Sequence, residues 1–222
     1  MRQISKYLFS IVKYLLYGNG KFFNKLASQE LLPEQVDGYF TKYNDKKIHD
    51  FFTINLNKIV SLIKEQDEVL DVGCGTGRYL HGLENGVKAT FHGIDISKAT
   101  IENYTSKLCT ANVCVGDFII KNPFDVKFDI IYSITILEYI PFFRLNKFLK
   151  NIYLALKPGG LFYIQFPNGK SWIDLYKNFG YTCYPSYIIE NKLNELGFKI
   201  IESKLLDITL EDDWGHYILC EK

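Results

Sequence analysis

Residues 69–77 read Val-Leu-Asp-Val-Gly-Cys-Gly-Thr-Gly, and Gly73, Gly75 and Gly77 are the residues best suited to meet a ligand with bare backbone. Glycine lacks a Cβ, so a turn built from it can lie flat against a small molecule and adopt left-handed angles. Strand-prone residues precede the turn and a helical pattern runs from Arg78 to Leu83, which places the turn at a strand-to-helix junction. The spacing is G-x-G-x-G: Arg78 stands where a dinucleotide-binding turn has its third glycine, and no G-x-x-x-x-G-K-[ST] loop occurs. Asp71, just before the turn, sets a carboxylate where a phosphate ligand would be repelled and a cation welcomed. Both departures point away from NAD and ATP and toward a phosphate-free, positively charged nucleoside.

Further acids fall where later strands are expected to end. Thr90-Phe91-His92-Gly93-Ile94-Asp95 closes on a carboxylate, the next strand runs into Gly116-Asp117-Phe118, and Phe128-Asp129-Ile130-Ile131-Tyr132-Ser133 closes on a hydroxyl. A general base is sought nearby. Glu138 and Tyr139, in Leu137-Glu138-Tyr139-Ile140-Pro141, are candidates, with a capping or solvated glutamate as the first expectation for Glu138. His216 is a third candidate, expected first as a core or surface histidine, and His81 is expected to face solvent. The loop Glu211-Asp212-Asp213-Trp214 reads as an acidic turn on the ligand edge.

Positioning these residues takes an alternating chain. Apolar periodicity predicts strands at 68–72, 90–95, 112–115, 128–133, 160–166, 198–206 and 215–221. Helices are expected at 48–63, 77–85, 98–108, 143–156 and 186–196. Strands separated by helices of this length imply right-handed crossovers and a parallel sheet covered on both faces. The last two strands have no helix between them and must form a hairpin, so one of them runs antiparallel. Ligands then gather at the carboxyl ends of the parallel strands, where the glycine turn, Asp95, Asp117 and Ser133 all fall.

Composition narrows the rest. The chain has 222 residues, 47% of them hydrophobic, which suits one domain with additions: an N-terminal helical or lid segment, 1–47, and a main domain, 48–222. A formal charge of +1 gives no broad field for nucleic acid. Cys74, Cys109, Cys114, Cys183 and Cys220 form no C-x-x-C pair, and no two of the four histidines share ligand spacing on a helix, so neither a metal site nor a disulfide framework is expected and a reducing cytoplasm fits. The first 29 residues hold five basic residues and no acidic one, with Ile4, Leu8, Ile11, Leu15 and others at helical spacing. That segment reads as a helix packed on the domain or over its pocket; a weak membrane-surface contact through residues 1–17 is the alternative. Lys13 and the missing cleavage site argue against a signal peptide, and length excludes a span.

From about Glu68 to the C-terminus the chain resembles the class I S-adenosylmethionine-dependent methyltransferases of the small-molecule type. The likeness rests on residues 69–77, Gly93-Ile94-Asp95-Ile96-Ser97, Gly116-Asp117-Phe118, Phe128-Asp129-Ile130-Ile131 and Leu156-Lys157-Pro158-Gly159-Gly160-Leu161, in that order. The resemblance implies an α/β three-layer sandwich around a seven-stranded, mostly parallel, Rossmann-like sheet with an antiparallel last strand. It implies S-adenosyl-L-methionine as donor and S-adenosyl-L-homocysteine as product. Asp71 and the backbone of Gly73, Cys74, Gly75 and Gly77 would hold the methionine part. Asp95, followed by Ile96, would take the ribose hydroxyls; Asp117 and Phe118 would face the adenine; Ser133 and Ile134 would floor the methyl site. Gly159-Gly160 is expected to be a structural turn into the fifth strand.

Leu137-Glu138-Tyr139 resembles the Leu-Glu-His motif of small-molecule methyltransferases, with Tyr139 in place of histidine, which counts against an imidazole base there. Alignment and exclusion of water do most of what methyl transfer asks, orientation alone being worth about 7–11 kcal/mol. Substrate walls are expected from Tyr39, Phe40 and Tyr43, from Glu138, and from the aromatic segment 168–187 with Trp172, Tyr176, Phe179, Tyr181 and Tyr184. These suggest an enclosed pocket for a small, partly apolar acceptor, oxygen slightly ahead of nitrogen or carbon. Phe166-Pro167-Asn168 is not the Asn-Pro-Pro-Tyr type of motif found in base-amine methylation, and no acidic doublet follows the fourth strand to hold a polyamine. The alternatives are a donor-binding protein without turnover, and a methyltransferase for a protein or for a membrane-linked glycan or lipid.

Overall fold

Both faces of the sheet must be apolar in a parallel arrangement, and the strands carry that signature. The computed structural model describes residues 45–169, 174–175, 182–206 and 215–222, with Asn24 and Ser28 besides. Strands β1 (Glu68–Val72), β2 (Thr90–Asp95), β3 (Asn112–Val115), β4 (Phe128–Ile134), β5 (Leu156–Phe166), β6 (Lys199–Leu205) and β7 (His216–Glu221) form one seven-stranded sheet in the order β3-β2-β1-β4-β5-β7-β6. β1 pairs parallel with β2 and β4, β2 with β3, and β4 with β5. β7 is antiparallel to both β5 and β6, so β6 keeps the direction of β1–β5 and only the last strand is reversed. A small antiparallel ribbon joins Asp174–Leu175 to Thr182–Cys183.

Among the described residues helical segments cover the sheet: α1 (Asp45–Val60), α2 (Arg78–Glu84), α3, α4 (Phe142–Ala155) and α5 (Ser186–Glu195). α3 is composite, with α-helical turns Lys98–Thr100 and Ser106–Leu108 around a π turn, Ile101–Thr105. Alternate residues along each strand enter opposite cores. Leu70, Val72, Ile131, Phe162 and Ile164 pack with α4 and α5, while Val69, Ile130, Tyr132, Ile134 and Tyr163 pack with α1 and α2.

The three-layer expectation holds, with two local differences. β5 begins at Leu156 rather than 160, because Leu156 already pairs with Phe128 and the chain bulges before Leu161 rejoins opposite Ile130. Gly159 has φ +75° in that bulge, and a Cβ on Gly160 would meet the Lys157 and Phe128 carbonyls at 3.0 and 3.1 Å. α1 starts and stops earlier than predicted. Its apolar pattern runs on to Ile63, but Leu62 and Ile63 donate to the carbonyls of Ile59 and Val60, a tighter turn that ends the helix. Among the described residues no helix is long and apolar enough to cross a membrane. The segment 1–17, Tyr39, Phe40, Tyr43, Trp172, Tyr176, Phe179, Tyr181 and the loop 211–214 lie outside the described residues.

α1 is fixed to the sheet by a buried polar pair. Tyr163 donates to Asn55 Oδ1 at 2.7 Å, and Asn55 Nδ2 donates to the Phe51 carbonyl at 2.9 Å. Asn55 and Tyr163 are both fully buried, so neither group has water as a substitute. Phe52 and Leu56 extend the contact onto α2: Phe52 lies 4.8 Å from the Tyr79 ring, and Leu56 sits 3.0 Å from where a Cβ on Gly82 would be. Tyr163→Phe removes one donor and strands the Asn55 oxygen. It should lower stability by about 1–2 kcal/mol in urea unfolding, with the m-value unchanged.

Candidate active site

The turn after β1 is held by β2. Gly73 and Cys74 both donate to the Ile94 carbonyl, at 2.8 and 3.1 Å, and Gly77 donates back to the Cys74 carbonyl at 2.9 Å. Gly73, Gly75 and Gly77 have φ of +83°, +52° and +84°, angles that side chains with a Cβ rarely adopt. At Gly73 there is no room for one either: a Cβ would stand 2.2 Å from Ile136 Cδ1. Ile136 follows β4, so the end of β4 is laid directly across the glycine turn. Cys74 turns its sulfur toward Gly93 of β2, where a Cβ would meet it at 3.1 Å, and so offers a ligand only its backbone.

Asp95, at the end of β2, joins the turn to α3. Its Oδ2 accepts from Gly75 N–H at 3.1 Å and its Oδ1 from Ser97 N–H at 2.8 Å. Burial raises its pKa, partly offset by these backbone donors. A desolvated carboxylate with oxygen lone pairs to spare suits a ligand that brings hydroxyl donors. Ile96 beside it is half-buried. Asp71 is almost fully buried and faces the α1 and α2 side, beside the Tyr132 hydroxyl, whose pKa burial and the Asp71 charge push well up. Asp117 accepts from Ile119 N–H through Oδ1 at 2.9 Å, as a turn-capping acid does, and its Oδ2 lies 3.5 Å from the Arg144 guanidinium. Burial raises its pKa, against those backbone donors and the Lys147 charge.

Several expected site residues turn inward. Phe118 is 4% exposed and packs in the α4 and α5 core, while its carbonyl accepts from Asn151. Ser133 is fully buried and donates to the Val72 carbonyl at 3.0 Å, which ties β4 to β1. Ile134 does lie on the α1 and α2 face, one strand from Asp71. His216 reaches the correct edge, paired with Phe166 of β5, but its ring meets Ser203 Oγ at 2.7 Å and lies 4.0 Å from Glu190, toward α5. Burial lowers its pKa, with the Glu190 charge opposing. Tyr184 is a core residue rather than a pocket wall: it is fully buried and its hydroxyl donates to the Ile140 carbonyl.

After β4, Thr135 takes φ +54° and donates to the Gln165 carbonyl at 3.0 Å, which reverses the chain into a tight turn, Leu137–Tyr139. Glu138 is 2% exposed in that turn, which sets aside the solvated half of the capping-or-solvated expectation; Tyr139 is half-buried beside it.

Sequence reasoning missed three supports. Thr105, in the π turn, is fully buried and donates to the Gly75 carbonyl at 2.7 Å. Arg144 stands over Asp117. Asn24 accepts from Ser97 Oγ and Ala99 N–H at 3.0 and 2.9 Å, two and four residues after Asp95. None lies within a recognisable motif; only distance along the chain separates them from ordinary polar residues. Among the described residues no group of three or more His, Cys, Asp or Glu could hold a metal ion.

The three left-handed glycines and the desolvated Asp95 fit a donor with two ribose hydroxyls and a positive end. If Asp95 holds those hydroxyls, it must be ionised to accept from both. Its raised pKa means that affinity for S-adenosylhomocysteine is full above that value and falls as pH drops through it, above the 3.8 of a free aspartate. Calorimetry should show that loss starting above the ordinary carboxylate range. Asp95→Ala should cost about 10–100-fold in affinity at neutral pH and shift the acid limb downward.

Comparison with known proteins agrees with this geometry. Residues 69–160 match the family model described as a methyltransferase domain. A 24-methylenesterol C-methyltransferase of Arabidopsis thaliana is 32% identical over 52% of this chain and 32% of its own length. A sterol 4-C-methyltransferase of Caenorhabditis elegans is 27% identical over 73% of this chain and 46% of its own. The chain thus spans less than half of these curated relatives. The N-methyltransferase NodS of Bradyrhizobium japonicum, solved with S-adenosyl-L-homocysteine, superposes with a TM-score of 0.71 at 15% identity, covering 92% of this chain and 98% of that one, and so shares the fold. Residues 69–160 accordingly match a methyltransferase domain, carried on a fold shared with a solved methyltransferase.

Proposed function

We propose that the chain transfers a methyl group from S-adenosylmethionine to a hydroxyl oxygen of a small, partly apolar acceptor, with Glu138 as the base. The observation that carries this reading is the burial of Glu138, 2% exposed, in the turn that follows β4 and lies beside the glycine turn through Ile136. In this reading residues 48–222 form the transferase unit and 1–47 a covering segment, and the protein works in the cytoplasm on a small molecule rather than on nucleic acid, in keeping with its net charge of +1.

Bound at this edge, the donor supplies an electrophilic methyl carbon on a sulfonium. The backbone of Gly73 to Gly77 and the Asp71 carboxylate would hold its amino-acid end, Asp95 the ribose and Asp117 the adenine. Ile134 and Ile136 would exclude water from the methyl, which strengthens every charge interaction nearby. Glu138 would accept the acceptor's hydroxyl proton as oxygen bonds to the methyl carbon and the sulfur–methyl bond breaks, its electron pair going to sulfur to release neutral-sulfur S-adenosylhomocysteine. A carboxylate suits that task when burial keeps it from spending its lone pairs on water. Tyr139 would then line the site, since a phenol is a poor base at neutral pH.

A second reading has carbon as the acceptor atom, supported by the two sterol-methylating relatives. There Glu138 would take a proton from carbon after methyl addition. Labelled methyl transfer into a metabolite extract, with mass spectrometry of the product, separates the readings: a methoxy product supports the first, a new carbon–carbon bond the second. Glu138→Gln should leave S-adenosylhomocysteine affinity within about twofold and cut turnover by about 10²–10⁴. Equal loss of donor affinity would assign Glu138 to donor binding instead.

A further inference from the structure

Gln165 is the penultimate residue of β5, at the carboxyl edge of the sheet, and it is fully buried. Among the described residues neither its Oε1 nor its Nε2 has a hydrogen-bond partner. Leaving a whole carboxamide unpaired in the interior costs several kcal/mol by transfer estimates, far more than a leucine there would. Such a group persists when something outside the fold completes it.

Its place identifies what that is. Gln165 is in register with Ile134 of β4 on one side and Tyr217 of β7 on the other, and Ile134 and Tyr217 both belong to the α1 and α2 face that also carries Asp71. Relative to the glycine turn it lies beyond β4, about one strand spacing (~4.8 Å) past Ile134. That is the acceptor's half of the edge, not the donor's. Its backbone carbonyl already holds Thr135, the residue that turns the chain toward Glu138.

We infer that the Gln165 carboxamide binds a second, uncharged polar group of the methyl acceptor, a hydroxyl beside the one that is methylated. The inference rests on the proposed oxygen methyltransferase reading and narrows it to diols and their carbohydrate-like relatives. The amide matches such a group because it presents an acceptor and donors side by side, and a hydroxyl can both give and take a hydrogen bond. An anion is disfavoured by Asp71 and Glu138 near the same edge. A cation would leave the amide N–H groups unmet.

Binding of small probes to the full chain loaded with S-adenosylhomocysteine tests this without the natural acceptor. Cyclohexane-1,2-diol, cyclohexanol and cyclohexanecarboxylate are compared by ligand-observed NMR titration. The wild type should bind the diol about five- to tenfold more tightly than cyclohexanol, and the carboxylate most weakly. Gln165→Leu should bring diol and cyclohexanol to equal affinity, keep S-adenosylhomocysteine affinity, and unfold at no lower temperature. Gln165→Met gives the same comparison if the leucine variant does not fold. A wild type without preference for the diol, or a preference that survives in the variant, overturns the assignment. So does a variant that is merely less stable with probe preferences intact, the result expected if the amide only holds an internal water. Failure of the wild type to bind S-adenosylhomocysteine in calorimetry would instead remove the methyltransferase reading beneath it.

Discussion

Three left-handed residues in a five-residue turn are the constraint on which the rest of the structure depends. Gly73, Gly75 and Gly77 let the chain leave β1, touch β2 through the Ile94 carbonyl twice, and enter α2 without a side chain on the inner surface. Everything near the site is packed against that bare backbone. Ile136 lies on Gly73, Thr105 and Cys109 close on Gly77, and Asp95 and Thr105 take the N–H and the carbonyl of Gly75. The turn is therefore braced from β2, from α3 and from the segment after β4. A ligand that replaces none of these contacts meets a surface whose shape is already set, which lowers the ordering cost of binding.

The sheet order explains how four distant segments reach one edge. β1 lies inside the sheet, with β2 on one side and β4 on the other, so the strand ends at Val72, Asp95 and Ile134 are neighbours although 62 positions separate the first and last. The strand order reverses between β1 and β4, the kind of switch point at which open α/β sheets take their ligands. Period-2 alternation then divides the work of the two faces. Leu70, Val72, Ser133 and Phe166 join the α4 and α5 core, and Ser133 spends its hydroxyl tying β4 to β1. Asp71, Tyr132 and Ile134 face α1 and α2, the side on which Asn55 fixes α1 to Tyr163.

That alternation also marks what was legible in the sequence. Strand and helix positions follow from hydrophobic period and turn residues, so β1, β2 and β3 match their predicted bounds residue for residue. The glycines and the acids at strand ends were readable because their chemistry is local: a turn needs φ above zero, and a carboxylate at a strand exit lies where ligands gather. Side-chain direction was harder. Phe118, Ser133 and His216 stand at suitable chain positions, yet the register and the helices on each face turn them to the core or to α5. Supports such as Thr105 and Arg144 were invisible because they act from other elements, and a π turn leaves no periodic trace that a short apolar pattern resolves. The bulge that starts β5 at Leu156 was hidden by Gly159-Gly160, which read as the turn before a strand.

Charge gives the edge its direction. Asp71 and Glu138 are 3% and 2% exposed, and Asp95 is desolvated enough to raise its pKa. Near Asp95 the compensation comes from backbone N–H groups of Gly75 and Ser97 rather than from a cation. Backbone donors satisfy oxygen lone pairs but leave the net negative charge in place. Arg144 stands 3.5 Å from Asp117 at the far end, and the Lys147 charge also acts on that acid. An edge that keeps buried carboxylates near a rigid glycine turn suits a ligand with positive charge at one end and hydroxyl donors in the middle. By the same argument it would repel phosphate, the expectation drawn from Asp71 before the turn and from the missing third glycine of a dinucleotide site. In the proposed reading the acids that would repel phosphate would also favour the donor's sulfonium, so that specificity for the donor and stabilisation of its charge would arise from the same few oxygens.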